Sequence, residues 1–117
     1  MEIQVKKVRA KPSEGDGRRV LVDRLWPRGV SQESAKLDEW LPDVAPSDEL
    51  REWFDHDPER FDEFRRRYVD ELRERRELLT DLRRVARSGT LTLLFAAKDE
   101  RRNNAVVLAD ALRKGLR

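Results

Sequence analysis

The run Leu91-Thr92-Leu93-Leu94-Phe95-Ala96-Ala97 constrains the fold of this chain more than any other segment. It is short and almost wholly apolar, and helical patterns stand on both sides of it. Such a segment is expected to be a central strand buried on both faces, as in a parallel sheet covered by helices. Charged residues make up 43% of the chain and hydrophobic ones 38%, so the core has to come from a few well-patterned segments. Val20-Leu21-Val22 and Val106-Val107-Leu108 are the other aliphatic runs, and this clustering sets the chain apart from disordered sequences. A chain of 117 residues buries about two-thirds of its unfolded surface without disulfides or metals. The expectation is a single compact α/β domain over 1–117, with a small, mostly parallel sheet flanked by helices.

Charge narrows the function classes. There are 26 Lys and Arg against 24 Asp and Glu, a net charge of +2. Arg alternates with acids along most of the chain, whereas nucleic-acid readers concentrate positive charge on one face. Cysteine is absent, which excludes disulfide scaffolds, thiolate metal sites and cysteine nucleophiles. One His leaves little for a zinc site, so neither metal nor cofactor is expected. The opening residues Met1 to Lys7 lack the apolar stretch of a secretory signal, and no segment approaches the ~20 apolar residues that span a bilayer. A cytoplasmic location without membrane contact is expected.

Along the chain, Ile3 and Val5 alternate with Gln4 and Lys6 in a first strand, and turn formers from Lys11 to Gly17 separate it from a second strand at Arg19 to Leu25. That strand ends at Trp26-Pro27-Arg28-Gly29. Residues 31 to 46 are mixed: Leu37, Trp40 and Leu41 fit a helical face, but Pro42 and Pro46 keep any helix short. Ser47 is an N-cap candidate for a short helix with Leu50, Trp53 and Phe54 inward. Asp57-Pro58 starts another helix, whose apolar positions Phe61, Phe64, Tyr68, Leu72, Leu79, Leu82 and Ala86 recur as far as Ser88-Gly89. Its stripe thins after Leu72. Asp62 with Arg66, Glu63 with Arg67 and Glu71 with Arg75 have the spacing of helical ion pairs. The last helix begins near Asn103, turns Ala105, Leu108, Ala109, Leu112 and Leu116 inward, and meets Gly115 as a cap.

In open α/β sheets ligands bind outside the carboxyl ends of the parallel strands. Two segments should meet there, Asp23 to Gly29 after the second strand and Lys98 to Asn104 after the central one. They offer Arg24, Arg28 and Lys98 as cations, Trp26 as a stacking face, and Asn103 and Asn104 as amide donors. This set suits a small planar anion such as a nucleotide or nucleoside derivative. Structural duties compete with that role: ion pairing for Asp23 and Arg24, core packing for Trp26, and N-capping for Asn103. His56, between Asp55 and Asp57, and Asp23 are the candidate acid and base of a transferase or hydrolase; an exposed turn is the alternative for His56. Phosphate loops, serine elbows and metal spacings are missing. The charged helix, with Arg65 to Arg67 and Arg73, Arg75 and Arg76, is a solvated face or else a protein-partner surface. Its interleaved acids argue against nucleic acid.

Val20-Leu21-Val22-Asp23-Arg24-Leu25-Trp26-Pro27-Arg28-Gly29, Trp53 to Phe61, and Leu91 to Asp99 followed by Asn103-Asn104 resemble the YeaO-like family. The resemblance runs from first strand to last helix. It implies a compact α/β fold and no established activity, with signature positions at Asp23, Arg24, Trp26, Pro27, Arg28, Gly29, His56, Asp57, Lys98, Asn103 and Asn104. Asp55 stands where relatives commonly have Gly, and Arg102 where many have His. A mechanism needing two histidines or the cysteines of distant relatives therefore does not transfer.

Overall fold

A computed structural model describes residues 1–116. Four strands form one sheet: β1 (Glu2–Lys7), β2 (Arg18–Leu21), β3 (Glu39–Trp40) and β4 (Thr90–Phe95). Their order is β1-β4-β2-β3, and every pairing is parallel. The central place of β4 follows from its composition, because only a strand apolar on both faces gains by having neighbours on both sides. The helices are α1 (Gln32–Ala35), α2 (Asp48–Phe54), α3 (Phe61–Leu72), α4 (Arg76–Ser88) and α5 (Asn104–Lys114). Among the described residues no helix is long and apolar enough to cross a membrane.

The two faces of the sheet are unequal. Val20, Val22, Leu91, Leu93 and Phe95 pack into the main core with Phe54, Phe64, Tyr68, Leu72, Leu79, Leu108 and Leu112 of the longer helices. Leu21, Leu94 and Val8 face the other way, into a small cluster closed by Ala35. A buried polar network completes that second face. Thr92 donates its hydroxyl to the Asp16 carbonyl at 2.6 Å, and Asp16 pairs with Arg19 at 2.5 Å and Lys6 at 2.8 Å. Gly17 makes the approach possible: its φ is +61°, and a Cβ there would lie 2.2 Å from the Thr90 carbonyl oxygen.

Several expectations are corrected. The second strand stops at Leu21 instead of Leu25, because the chain turns out of the ladder where the Asp23 side chain accepts from the Ala96 amide just past β4. The last central-strand residue is Phe95 instead of Ala97. Leu37, Trp40 and Leu41 share no helical face: α1 ends at Ala35, and Trp40 lies on the two-residue edge strand β3 with its ring exposed. The long helix is broken. Pro58–Arg60 is a 3-10 turn, and a second at Arg73–Arg75 separates α3 from α4. A straight helix over 58–88 would run about 46 Å, against a longest molecular extent of 35 Å. The apolar-free stretch 73–77 lets the chain bend, so that Leu72 and Leu79 reach the same core.

The charge pattern is redirected in the same region. Glu63 pairs with Arg67 at 2.8 Å and also with Arg66. Glu71 instead accepts from the Ser47 amide at 2.8 Å and its hydroxyl at 2.6 Å, while Arg75 donates to the Ala45 carbonyl. Arg73 pairs with Asp70.

Candidate functional site

The residues after β2 and β4 converge where the strands end. The Asp23 carboxylate accepts from the Ala96 amide at 2.9 Å and from Asn104 Nδ2 at 3.1 Å. Asn104 Nδ2 also donates to the Val22 carbonyl at 3.0 Å, fixing the start of α5 against the end of β2. Burial pushes the Asp23 carboxyl up; the bonds from Asn104 and Ala96 and the nearby charge of His56 oppose this without cancelling it. A half-buried carboxyl that holds its proton more readily than usual can act as an acid or base, given a substrate within reach.

Its neighbours carry structural bonds. Arg24 donates through Nε to the Pro46 carbonyl at 2.9 Å and through Nη2 to the Ala45 carbonyl at 3.3 Å, pinning the turn before α2. Trp26 donates its indole N–H to the Val30 carbonyl at 2.7 Å and meets Trp40 edge-on at 5.4 Å. Asn103 is the N-cap of α5: its side-chain oxygen accepts from the Val106 amide and its Nδ2 donates to the Asp99 carbonyl, both at 2.9 Å. His56 is exposed and follows α2 on a left-handed pair, with φ +46° at Asp55 and +56° at His56. For residues with a Cβ that conformation costs energy, and the pair directs the chain back toward the sheet end.

These elements enclose an open cleft of about 260 Å³. Asp23, Arg24, Trp26, His56, Asn103 and Asn104 line it, and Arg28 and Lys98 do not. Arg28 is exposed, with its carbonyl accepting from Arg9, and Lys98 lies in a neighbouring groove. The cleft also contains residues that the sequence reading left out. Phe54 and Phe64, stacked at 4.2 Å, form an apolar wall with Pro46 and Ala96. Arg51 adds a cation whose Nε is buried without a hydrogen-bond partner among the described residues. Phe54 was legible as an inward helix position, but its exposure to a cleft depends on how α2 docks. Arg51 carried no signal, being one of many arginines beside acids. Trp53 lies elsewhere, between the guanidinium groups of Arg60 and Arg67. Among the described residues no cluster of His and acidic side chains is placed to hold a metal ion.

The described residues thus form an α/β domain whose parallel sheet has a mixed polar and apolar cleft at the carboxyl ends of its strands. The chain belongs to the family described as the inactive DUF488-N3 subclade, which it matches over residues 2–117. It is 42% identical over 113 residues to the uncharacterized protein YeaO of Escherichia coli K12, covering 97% of this chain and 98% of that one. It is 46% identical over 97 residues to the uncharacterized protein Rv3073c of Mycobacterium tuberculosis H37Rv, covering 83% and 81%. No solved structure gives a significant match.

Proposed function

We propose that this chain binds a small anionic ligand, a nucleotide or nucleoside derivative, in the cleft at the carboxyl ends of β2 and β4, and does so without turnover. The observation that carries this reading is that Arg51 lines the cleft beside the stacked Phe54 and Phe64 rings, its Nη2 held by Asp48 at 3.4 Å. Arg24 adds positive charge, and the Phe54 and Phe64 wall suits a planar ring. The volume of about 260 Å³ falls just below the usual range of about 300–1,000 Å³ for small-molecule sites.

Absence of turnover fits the name of the subclade, which calls it inactive. It also fits the lining: no Ser, Thr, Lys or Tyr stands among the cleft residues to serve as nucleophile, although Asp23 and His56 remain as acid and base candidates. A cytoplasmic setting, with 1–117 acting as one domain, goes with a nucleotide ligand.

The test is a thermal-shift screen of nucleosides, nucleotides and phosphosugars on the wild type and Arg51→Gln. A ligand at 100 times its Kd adds about 2.7 kcal/mol of stability, and that shift should vanish in the variant. Arg24→Ala would be a poor probe, since it also frees the carbonyls of Ala45 and Pro46. A flat screen on a folded wild type would overturn the reading, and product formation abolished by His56→Ala would restore catalysis.

A further inference from the structure

Across Ala96 and Ala97 from the cleft lies a second open groove of about 380 Å³, bordered by Lys7, Arg9 and Lys98. The two depressions share those alanines as a common wall. Lys7 ends β1 opposite Phe95 of β4, and the Val8 amide donates to the Phe95 carbonyl at 2.8 Å, so β1 carries its cations to the same sheet edge. Arg9 Nη2 donates to the Arg28 carbonyl at 2.6 Å, which brings the loop after β2 to the rim.

The charge state of this groove differs from that of the helical surface. On α3 every arginine has an acid in contact: Arg65 has Asp110, and Arg66 and Arg67 have Glu63; on α4 Arg84 has Asp81. Among the described residues Lys7, Arg9, Arg28 and Lys98 have no carboxylate within 4.0 Å, although the chain as a whole is nearly neutral. The closest acids in sequence are already engaged. Asp99 accepts from the Arg101 and Arg102 amides and pairs with the Arg102 side chain, and Asp23 is held by Ala96 and Asn104. Glu100 is the one further acid of that loop, and it is exposed. Like charges gathered in one concavity repel one another and raise its potential for an anion.

We infer that this groove is a phosphate subsite, and that the ligand of the cleft is a nucleoside di- or triphosphate whose terminal phosphates cross the Ala96-Ala97 wall to reach Lys7, Arg9 and Lys98. The inference rests on the cleft reading above and specifies its ligand class. Guanidinium forks and lysine ammonium groups are the side chains best matched to phosphate oxygens. The ring and first phosphate stay beside Arg51, so the groove discriminates by the number of phosphates rather than by the base.

Calorimetric titration with AMP, ATP and inorganic tripolyphosphate tests this, using the wild type and an Arg9→Gln/Lys98→Gln double variant; both positions are exposed, and thermal melting confirms that the variant folds. The wild type should bind ATP at least about tenfold more tightly than AMP, which is about 1.4 kcal/mol. The double variant should bring the two nucleotides to parity and lose tripolyphosphate binding, and Lys98→Gln alone, which keeps the Arg9 bond to the Arg28 carbonyl, should narrow the ATP preference at unchanged AMP affinity. The same series with the guanine and cytosine nucleotides covers the choice of base. If AMP binds but ATP is no tighter, or the double variant leaves the ATP preference intact, the subsite is overturned and the cleft reading stands. If tripolyphosphate binding depends on Arg9 and Lys98 while no mononucleotide binds, the cleft reading falls, and the bridging ligand with it. If nothing binds, both fall.

Discussion

The Asp23 carboxylate takes the Ala96 backbone N–H at 2.9 Å, so a side chain leaving β2 continues the hydrogen bonding that the ladder abandons after the Val22 amide meets the Leu94 carbonyl. The same carboxylate takes Asn104, the first residue of α5. One residue thus joins the second strand, the central strand and the last helix at the edge where the cleft opens.

Replacing Asp23 with Asn keeps an acceptor for Ala96 but sets an amide nitrogen against the Asn104 donor. The loss should be about 1–2 kcal/mol near pH 4. Its pH dependence has a definite sign. The folded-state pKa of Asp23 is raised, mainly by burial, so the wild type holds the extra proton most favourably at low pH and gives up that stability as pH rises through the raised value. Asn does not titrate, and the deficit of Asp23→Asn should therefore narrow from about pH 4 toward neutrality. Urea unfolding of both proteins across that range checks this; a constant or widening deficit would count against it.

Asp16 should behave in the opposite sense. Burial alone would raise its pKa, but hydrogen bonds from Lys6, Ser13 and Arg19 outweigh burial and hold the carboxyl far below its usual range. Its stabilisation is then present above the unfolded value near pH 4 and is lost as pH falls through the folded value. Asp16→Asn leaves the buried Arg19 guanidinium without its counter-charge, at a cost of about 3–5 kcal/mol at neutral pH. The gap between variant and wild type should close progressively in acid, as read from denaturant midpoints at neutral pH and at about pH 3.

Asp55 ends α2 in the left-handed conformation, φ +46°, with its amide donating to the Arg51 carbonyl. Glycine takes that position without steric cost. Asp55→Gly should raise stability by about 0.5–1 kcal/mol. On a chain of this size that is a melting-temperature gain on the order of 2–6 °C, and an unchanged or lower value would show that the Asp side chain contributes more than its conformation costs.

The parts of the fold legible in the sequence were those set by local pattern. The centre of β4 and the Ser47 and Asn103 caps lie where composition and spacing place them, whereas Asp57 caps the 3-10 turn at Pro58–Arg60 and α3 itself starts at Phe61. Failures occurred where tertiary contact overrode pattern. Glu71 has helical spacing to Arg75 but caps Ser47 across the fold, and Trp40 fits a helical stripe yet joins an edge strand because the Leu41 amide reaches the Leu21 carbonyl. The site divides the same way. Positions following the strand ends could be anticipated from parallel-sheet topology, whereas Arg51 and Phe64 enter the cleft only through the docking of α2 on α3. Lys98 could be placed at the correct edge of the sheet, but which side of the Ala96-Ala97 wall it occupies depends on the end of β1.

Tyr68, the single tyrosine of the chain, gives a spectroscopic test of that docking. It is fully buried against Phe64 and donates its hydroxyl to the Val44 carbonyl at 2.6 Å. Burial is the main cause that pushes its pKa far up; Asp23 and Glu71 add to this, and Arg75 and Arg24 oppose it. The phenol's contribution to stability is therefore present below its unfolded value near pH 10 and is lost as pH rises beyond it. In an alkaline titration, phenolate absorbance should appear only together with the loss of folded circular dichroism; a phenolate formed in the folded protein would mean that α3 does not seal the ring against the turn before α2. Tyr68→Phe should lose about 1–2 kcal/mol at neutral pH, since it leaves the Val44 carbonyl unpaired. That difference should shrink above about pH 10, where ionisation of the exposed phenol stabilises the unfolded wild type and Phe offers no such proton.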